Sequence, residues 1–356
     1  MLVLGGLHAV FLSILAVNLA YLWRTKRARL APSPLPRVSV LIPARNEADN
    51  LRRLLPTLRA QDYPDFEVIV YDDGSEDETA AVIDAFGVRK MQGDGPPPGW
   101  VGKVHALYQA TREASGEVYL FLDADAALKG EGALRRLVER WAAAEAKAGE
   151  VGAFVSGLPH LRGGGLLLTS LVPFAILTAL PLPLTPRTTS PSLASLNGQC
   201  WLVGARAYHR HEPHAAMPDE VLEDVNIGRY LKAKGMRAVF RDLHDDLEVW
   251  MYRSLPDAWA GFRKNAYLLQ GGTPLRFAAA QAFFWSVFVL PPLVSPWFLV
   301  SLYALKVGTD TYSRFPLQVR LLAPVSLLLG GLLPFDSALG HWRGTVRWKD
   351  RVVGGR

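Results

Sequence analysis

Disulfide bonding within the chain is excluded from the start, because 356 residues contain a single cysteine, Cys200. That scarcity fits a reducing compartment. No histidine with an asparagine or aspartate context marks the thiol as a nucleophile, so thiol catalysis finds no support. A nucleic-acid partner is excluded on similar grounds. The chain carries 39 Lys and Arg against 33 Asp and Glu, yet no basic block is interleaved with aromatic residues as nucleic-acid binding requires. The small positive surplus belongs more naturally beside a membrane surface. Apolar side chains are plentiful: half of the residues are hydrophobic, enough for one large domain or two ordinary ones.

The apolar residues are gathered into runs. Residues 2–23, "LVLGGLHAVFLSILAVNLAYLW", hold no formal charge and lead directly into "RTKRAR". About 20 apolar residues cross the hydrocarbon core, and the basic cluster comes after the run instead of leading it, unlike a cleaved signal. The pattern predicts an N-terminal transmembrane anchor over 1–24, with the basic side and the residues after it cytoplasmic. Two later runs, 277–305 and 317–335, predict a transmembrane hairpin within 275–335, turning on the outer face at "KVGTDTYSRFP", and then a basic cytoplasmic tail over 336–356. The expectation is a multi-pass protein of the plasma membrane. A fourth run, 166–184, is interrupted by Pro173, Pro181 and Pro183. It is too short to span comfortably and reads as an interfacial or re-entrant segment on the cytoplasmic face, or else as a buried core helix.

Between the anchors, strands alternate with amphipathic helices. "RVSVLIPAR", "FEVIVYDDGS" and "EVYLFLDAD" read as buried strands, and "NEADNLRRLLPTLRAQ", "EDETAAVIDAF" and "HALYQATREAS" as helices. That alternation predicts parallel βαβ units in an open α/β sheet, with ligands bound beyond the carboxyl ends of the strands. Three of those ends are polar: "ARNE", "DDGS" and "DAD". Asp123 and Asp125, two apart on an extended chain, would point the same way. They suit a divalent cation, Mg²⁺ or Mn²⁺, whose remaining ligands include substrate phosphate, or a solvated turn with two helix-capping acids. Acids at two strand ends facing one crevice are costly without a cation or ligand. The first reading therefore gains, with Asp72 and Asp73 facing another part of the same substrate.

The blocks "VSVLIPARNEADNL", "VIVYDDGSEDET", "GWVGKVHAL", "LFLDADA" and "LEDVNIGRYLKAKG", in this order over residues 36–270, resemble the family 2 glycosyltransferases. The terminal apolar segments and the basic tail further resemble their membrane-bound branch, which includes carotenoid- and hopanoid-associated enzymes. The resemblance implies a GT-A, Rossmann-like nucleotide-sugar domain with transmembrane helices at both ends. It also implies metal-dependent inverting transfer of a single sugar, glucose in this reading, from a UDP-sugar donor to a lipophilic hydroxyl or carboxyl acceptor among the membrane lipids. By motif position, Asp73 with Asp72 beside it faces uracil. Pro43, Ala44 and Glu47 lie along the nucleotide, Trp100 and Lys103 help bind the donor, Asp123 and Asp125 hold the metal, and Asp224 with Glu223 supplies the catalytic base. Read as residues alone, Glu47, Glu223 and Asp224 are also acids suited to helix N-termini. Likewise Asp72 and Asp73 suit a turn and Lys103 a surface lysine, while "NGQCWLV", residues 197–203, reads as part of an acceptor wall, with Trp201 suited to a core position as well. Processive relatives carry a "QxxRW" motif that "MYRSLPDAWAGFRKNAY" lacks, which speaks against polymer synthesis. Polysaccharide formation, a polyprenyl-phosphate acceptor and an inactive membrane scaffold stand as the alternatives.

Overall fold

The computed structural model describes residues 1–27, 35–348 and 351–352. The end of the "RTKRAR" cluster and residues 349–350 and 353–356 of the basic tail lie outside the described residues. The chain forms two compact units, one of residues 22–160 and 182–249 and one of residues 1–21, 161–181 and 250–356.

The first unit is built on β1 (Val38–Ala44), β2 (Phe66–Asp73), β3 (Arg89–Gly93), β4 (Val118–Leu122), β5 (Ala126–Leu128), β6 (Ala153–Leu158), β7 (His160–Gly163), β8 (Cys200–Gly204), β9 (Arg237–Asp242) and β10 (Leu247–Tyr252). Seven of them make one sheet in the order β3-β2-β1-β4-β8-β6-β9. β1 runs parallel to both β2 and β4, and β2 parallel to β3, as the alternating pattern predicts. The parallel run stops at β8, which is antiparallel to both β4 and β6. No long helix carries the chain back across the sheet before β8. The preceding residues form short 3₁₀ turns, Leu182–Arg187 and Pro191–Leu193, so β8 enters from the edge where β4 leaves. Leu122 therefore pairs with Cys200, and the first residues of β8 adjoin the last residues of β4.

Burial follows the sequence period. The helix Ala48–Arg59 buries Leu51, Leu54, Leu55 and Leu58 on one face, the spacing of an amphipathic helix. The helix Glu223–Ala233 buries Ile227 and Leu231. These two join a core in which Phe121 stacks on Trp201 at 4.2 Å and 11°. Trp201 is thus a core residue and does not line an acceptor wall.

The second unit is helical. Among the described residues two helices are long and apolar enough to cross a membrane, Leu2–Lys26 and Ala323–Trp342, and Leu166–Ala179 and Pro274–Val289 are shorter apolar stretches. The stretch 277–305, expected as one span, is broken into Pro274–Phe284, a π-helical turn Trp285–Val289, Pro291–Val294 and Pro296–Tyr312. Pro291, Pro292 and Pro296 lack the N–H that a continuous helix needs, and Ser295 is extended at φ −152°. The expected outer loop around Asp310 is also corrected. Lys306 and Asp310 lie inside Pro296–Tyr312, fully buried and paired at 2.6 Å, and the Lys306 ammonium also donates to Ser170 Oγ at 2.8 Å. An i,i+4 pair lets both charges stay within the helix. Elsewhere in this unit Asn18 Nδ2 donates to the carbonyls of Leu177 and Leu180, each at 2.8 Å, satisfying acceptors at the end of Leu171–Ala179.

Breaking a buried pair strands a charge. Lys306→Met alone should lower stability by about 3–5 kcal/mol, and Lys306→Met with Asp310→Leu should recover most of that loss. Thermal unfolding in detergent compares the two variants, and equal losses would show that the pair is not an electrostatic unit.

Candidate active site

The loops leaving β1 and β2 are tied together. Asn46, at φ 52° in the left-handed region that asparagine tolerates, donates its backbone N–H to Ser75 Oγ at 2.9 Å and accepts from the Glu76 N–H at 2.8 Å. Glu47 donates its N–H to Thr79 Oγ1 at 2.8 Å. It stands at the N-cap of Ala48–Arg59 without a side-chain capping bond, and instead accepts from Asn50 Nδ2 at 2.5 Å. Pro43 and Ala44 lie opposite Tyr71 and Asp72 in the β1–β2 register. Asp72 and Asp73 are both buried but differ in task. Asp72 Oδ1 accepts from the Ser75 N–H at 3.0 Å, closing a turn in which Gly74 takes φ 69°, a conformation that costs glycine little. Asp72 therefore fills the turn role. Asp73 projects to the opposite side of β2, and its charge acts on Tyr71 and His105. His105 packs edge-on to Tyr71 at 5.9 Å and to Trp100 at 5.6 Å, and burial holds its pKa below the usual range. Asp73 and these rings form one corner beside the strand ends.

The second corner forms where β4 ends. The strand stops at Leu122, and Asp123 to Asp125 form a turn closed by the Ala126 N–H donating to the Asp123 carbonyl at 3.2 Å. The extended-chain argument for pointing both carboxylates one way therefore does not hold. Lys103 occupies the first turn of Gly102–Glu113, the wrong sign for a helix dipole. Its position is explained by what it touches: its ammonium lies 2.8 Å from Asp123 Oδ1 and 2.9 Å from Glu223 Oε1. Burial would lower the Lys103 pKa, but the two carboxylates outweigh it and raise it well above the ordinary value. Asp123 moves the other way from an ordinary acid. Burial, helped by the charges of Glu223 and Glu47 and opposed by Lys103, raises its pKa.

Asp224, beside Glu223 at the start of Glu223–Ala233, is raised to about 6 by burial and then by the charge of Glu223. Its Oδ2 accepts from the Gly198 N–H at 3.0 Å and its Oδ1 from its neighbour Val225 at 2.8 Å. The expected acids Glu47, Asp123, Glu223 and Asp224 thus share one electrostatic neighbourhood with Lys103. Sequence reasoning placed the stretch 197–203 at an acceptor wall and missed that its Gly198 and Gln199 contact the acids Asp224 and Asp123. The glycine directly before a predicted strand was the available signal.

Among the described residues no group of three or more His, Cys, Asp or Glu side chains is arranged to hold a metal. Asp123 and Asp125 offer hard carboxylate oxygens, so a bound Mg²⁺ or Mn²⁺ would complete its shell with water and substrate oxygens, as Mg²⁺ usually does.

Comparison with known proteins bears on family and fold. The model of glycosyl transferase family 2 matches residues 39–164. The chain is 36% identical over 107 residues to the 4,4'-diaponeurosporenoate glycosyltransferase of Staphylococcus haemolyticus and 35% identical over 105 residues to that of Staphylococcus aureus. These matches cover 30% and 29% of this chain, and the chain spans 28% of the length of each relative. A mannosyltransferase of Pyrobaculum calidifontis, solved in complex with GDP-Man and Mn²⁺, superposes with a TM-score of 0.51 at 20% identity, covering 94% of this chain and 98% of that one. The chain resembles the family 2 glycosyltransferases and has the GT-A fold.

Removing the shared ammonium tests the electrostatics directly. Lys103→Met leaves Asp123 and Glu223 facing each other, and because all three side chains are 14–30% exposed the cost should be about 1–2 kcal/mol, less than for a fully buried pair. The sign with pH comes from the raised pKa of Asp123. Its protonation relieves the repulsion, so the deficit in unfolding midpoint should be small at low pH and grow as pH rises through the raised pKa range. A deficit independent of pH would contradict the arrangement.

Proposed function

We propose that the protein is a metal-dependent, inverting glycosyltransferase of the plasma membrane, with its sheet unit on the cytoplasmic side. It moves a single sugar, glucose, from a UDP-sugar to a lipophilic hydroxyl or carboxyl acceptor such as a carotenoid. The observation that carries the reading is the cluster in which Lys103 bridges Asp123 and Glu223 beside an Asp224 raised to about 6. A carboxylate with a pKa near the working pH is a competent general base, and an ammonium paired with acids at a strand end can turn to a diphosphate as a point charge.

Each residue has a task in this reading. Asp73, with Trp100 and His105 nearby, faces the nucleoside, while Glu47 lies beside the ribose and Lys103 meets the diphosphate. Asp224 takes the proton of the acceptor hydroxyl as it attacks the anomeric carbon opposite the departing UDP. Glu223 keeps Asp224 basic, and Lys103 limits how far. Held by Asp123 and Asp125, Mg²⁺ or Mn²⁺ would offset the charge of the diphosphate. The lipophilic acceptor is supported by the two helices long and apolar enough to cross a membrane and by exposed apolar side chains such as Leu2, Leu293 and Trp297. The test is to incubate the membranes with labelled UDP-sugars and a lipid extract, and to identify the labelled lipid by mass spectrometry. Label appearing only in long polymers would favour a polysaccharide synthase instead.

The base sets the pH dependence. Only the carboxylate form of Asp224 accepts a proton, so kcat on a hydroxyl acceptor should rise with pH through about 6 and then level off. Asp224→Asn should lower kcat by ~10²-fold or more with UDP affinity nearly unchanged. An already ionised carboxyl acceptor needs no base and should lose far less. Equal collapse of UDP binding would place Asp224 in the donor site.

Metal removal gives a separate check. EDTA should abolish transfer, added Mg²⁺ or Mn²⁺ should restore it, and Asp125→Ala should not be rescued at the same metal concentration. Full activity of Asp125→Ala in EDTA would refute the metal assignment.

A further inference from the structure

The turn Asn197 to Gln199 touches both halves of the site at once. Through its backbone, the Gly198 N–H reaches Asp224 Oδ2 at 3.0 Å, while the Gln199 carbonyl accepts from the Asp123 N–H at 3.1 Å. Three residues of one turn thus hold the acid at the end of β4 and the acid at the start of Glu223–Ala233. We propose that this turn sets the spacing between the donor-holding Asp123 and the base Asp224, with Asn197 and Ser156 as the positioning residues that fix it. The proposal rests on the glycosyl-transfer reading.

The turn is built to be rigid. Asn197 is held on both sides: its N–H donates to Ser156 Oγ at 2.8 Å, and its side-chain amide donates to the Gly157 carbonyl at 3.1 Å. The same amide closes the turn, with Nδ2 reaching Gln199 Oε1 and Oδ1 accepting from the Gln199 N–H, each at 3.2 Å. Ser156 is buried and its hydroxyl lies 3.1 Å from the carbonyls of both Asn197 and Cys200. Because Ser156 belongs to β6 and faces Trp201 in the ladder, the turn is anchored to an interior strand of the sheet. The glycine is a steric requirement: a Cβ at position 198 would stand 2.9 Å from Asp224 Cβ, closer than real Cβ contacts come, and a tight 3.2 Å from Oδ2, so the acid would have to shift. Only a bare backbone lets the N–H approach the carboxylate.

A positioning role predicts a split that general support of the fold would not give. Displacing a reacting group by about 1 Å can cost up to ~10²-fold, so Gly198→Ala should lower kcat by about 10- to 100-fold, and Asn197→Ala, which adds no clash, by about tenfold. UDP affinity, measured by calorimetry with Mg²⁺ on the full-length protein in detergent, should stay within about twofold of the parent protein in both. If Gly198→Ala does not fold, Asn197→Ala carries the test alone, with its unfolding midpoint measured alongside. Wild-type kcat in the variants that fold would overturn the inference. So would a parallel fall of UDP affinity and kcat, which would make the turn ordinary support. A parent protein that neither binds UDP nor transfers sugar would remove the glycosyl-transfer reading itself, and the inference with it.

Discussion

One ammonium group sets the conditions for everything at the sheet edge. Glu47, Asp123, Glu223 and Asp224 share a neighbourhood in which burial already disfavours the charged forms of Asp123 and Asp224, and without a counter-charge these acids would repel one another. Lys103 supplies that charge from a helix start, where the dipole opposes it, so its position records how strongly Asp123 and Glu223 attract it. The compensation is incomplete. Lys103 touches Asp123 and Glu223, while Asp224 still rises to about 6. The charge of Glu223 pushes the Asp224 pKa up and that of Lys103 pulls it down, so the two together with burial set where it lies.

The mixed sheet is what allows this balance. Parallel β1, β2 and β4 deliver their ends to one edge, as in any open α/β fold, but a parallel successor to β4 would begin at the far edge. β8 runs the other way, so its first residues and the turn before it arrive beside Asp123. The Asp224 side of the cluster is then assembled from the turn before the antiparallel strand and the helix Glu223–Ala233, while the parallel strands carry Asp73 and Asp123. Two half-sites built from different sheet geometries meet at Lys103.

The legible parts of the chain were those with local periodicity or a motif. Strands β1, β2 and β4, the helices between them and the acids at their ends could all be read, because alternation of buried residues and polar strand ends are short-range signals. The direction of β8 could not be read, since pairing direction depends on residues far apart in sequence. Pairing of Lys103 with Asp123 and Glu223 was invisible for the same reason, as its partners lie 20 and 120 positions away. The apolar stretch 277–305 misled because hydropathy counts side chains and is blind to Pro291, Pro292 and Pro296, which remove backbone donors within it. Lys306 and Asp310 looked like loop residues by charge alone. Their four-residue spacing, which lets each neutralise the other inside a helix, was the overlooked cue.

The helical unit applies the same rule as the active site under harsher terms. Where water is scarce, a polar group remains only if a partner is fixed for it, and Asn18, Lys306 and Asp310 each have one. In the sheet unit the partnering is looser: Lys103, Asp123 and Glu223 stay partly exposed. Exposure is what lets an incoming diphosphate compete for the ammonium, since a pair as closed as Lys306–Asp310 would resist exchange. A permanent lock and an exchangeable one are thus made from the same Lys–carboxylate chemistry. Access to solvent separates them, and on that basis the exchangeable pair is the one suited to bind and release a charged donor.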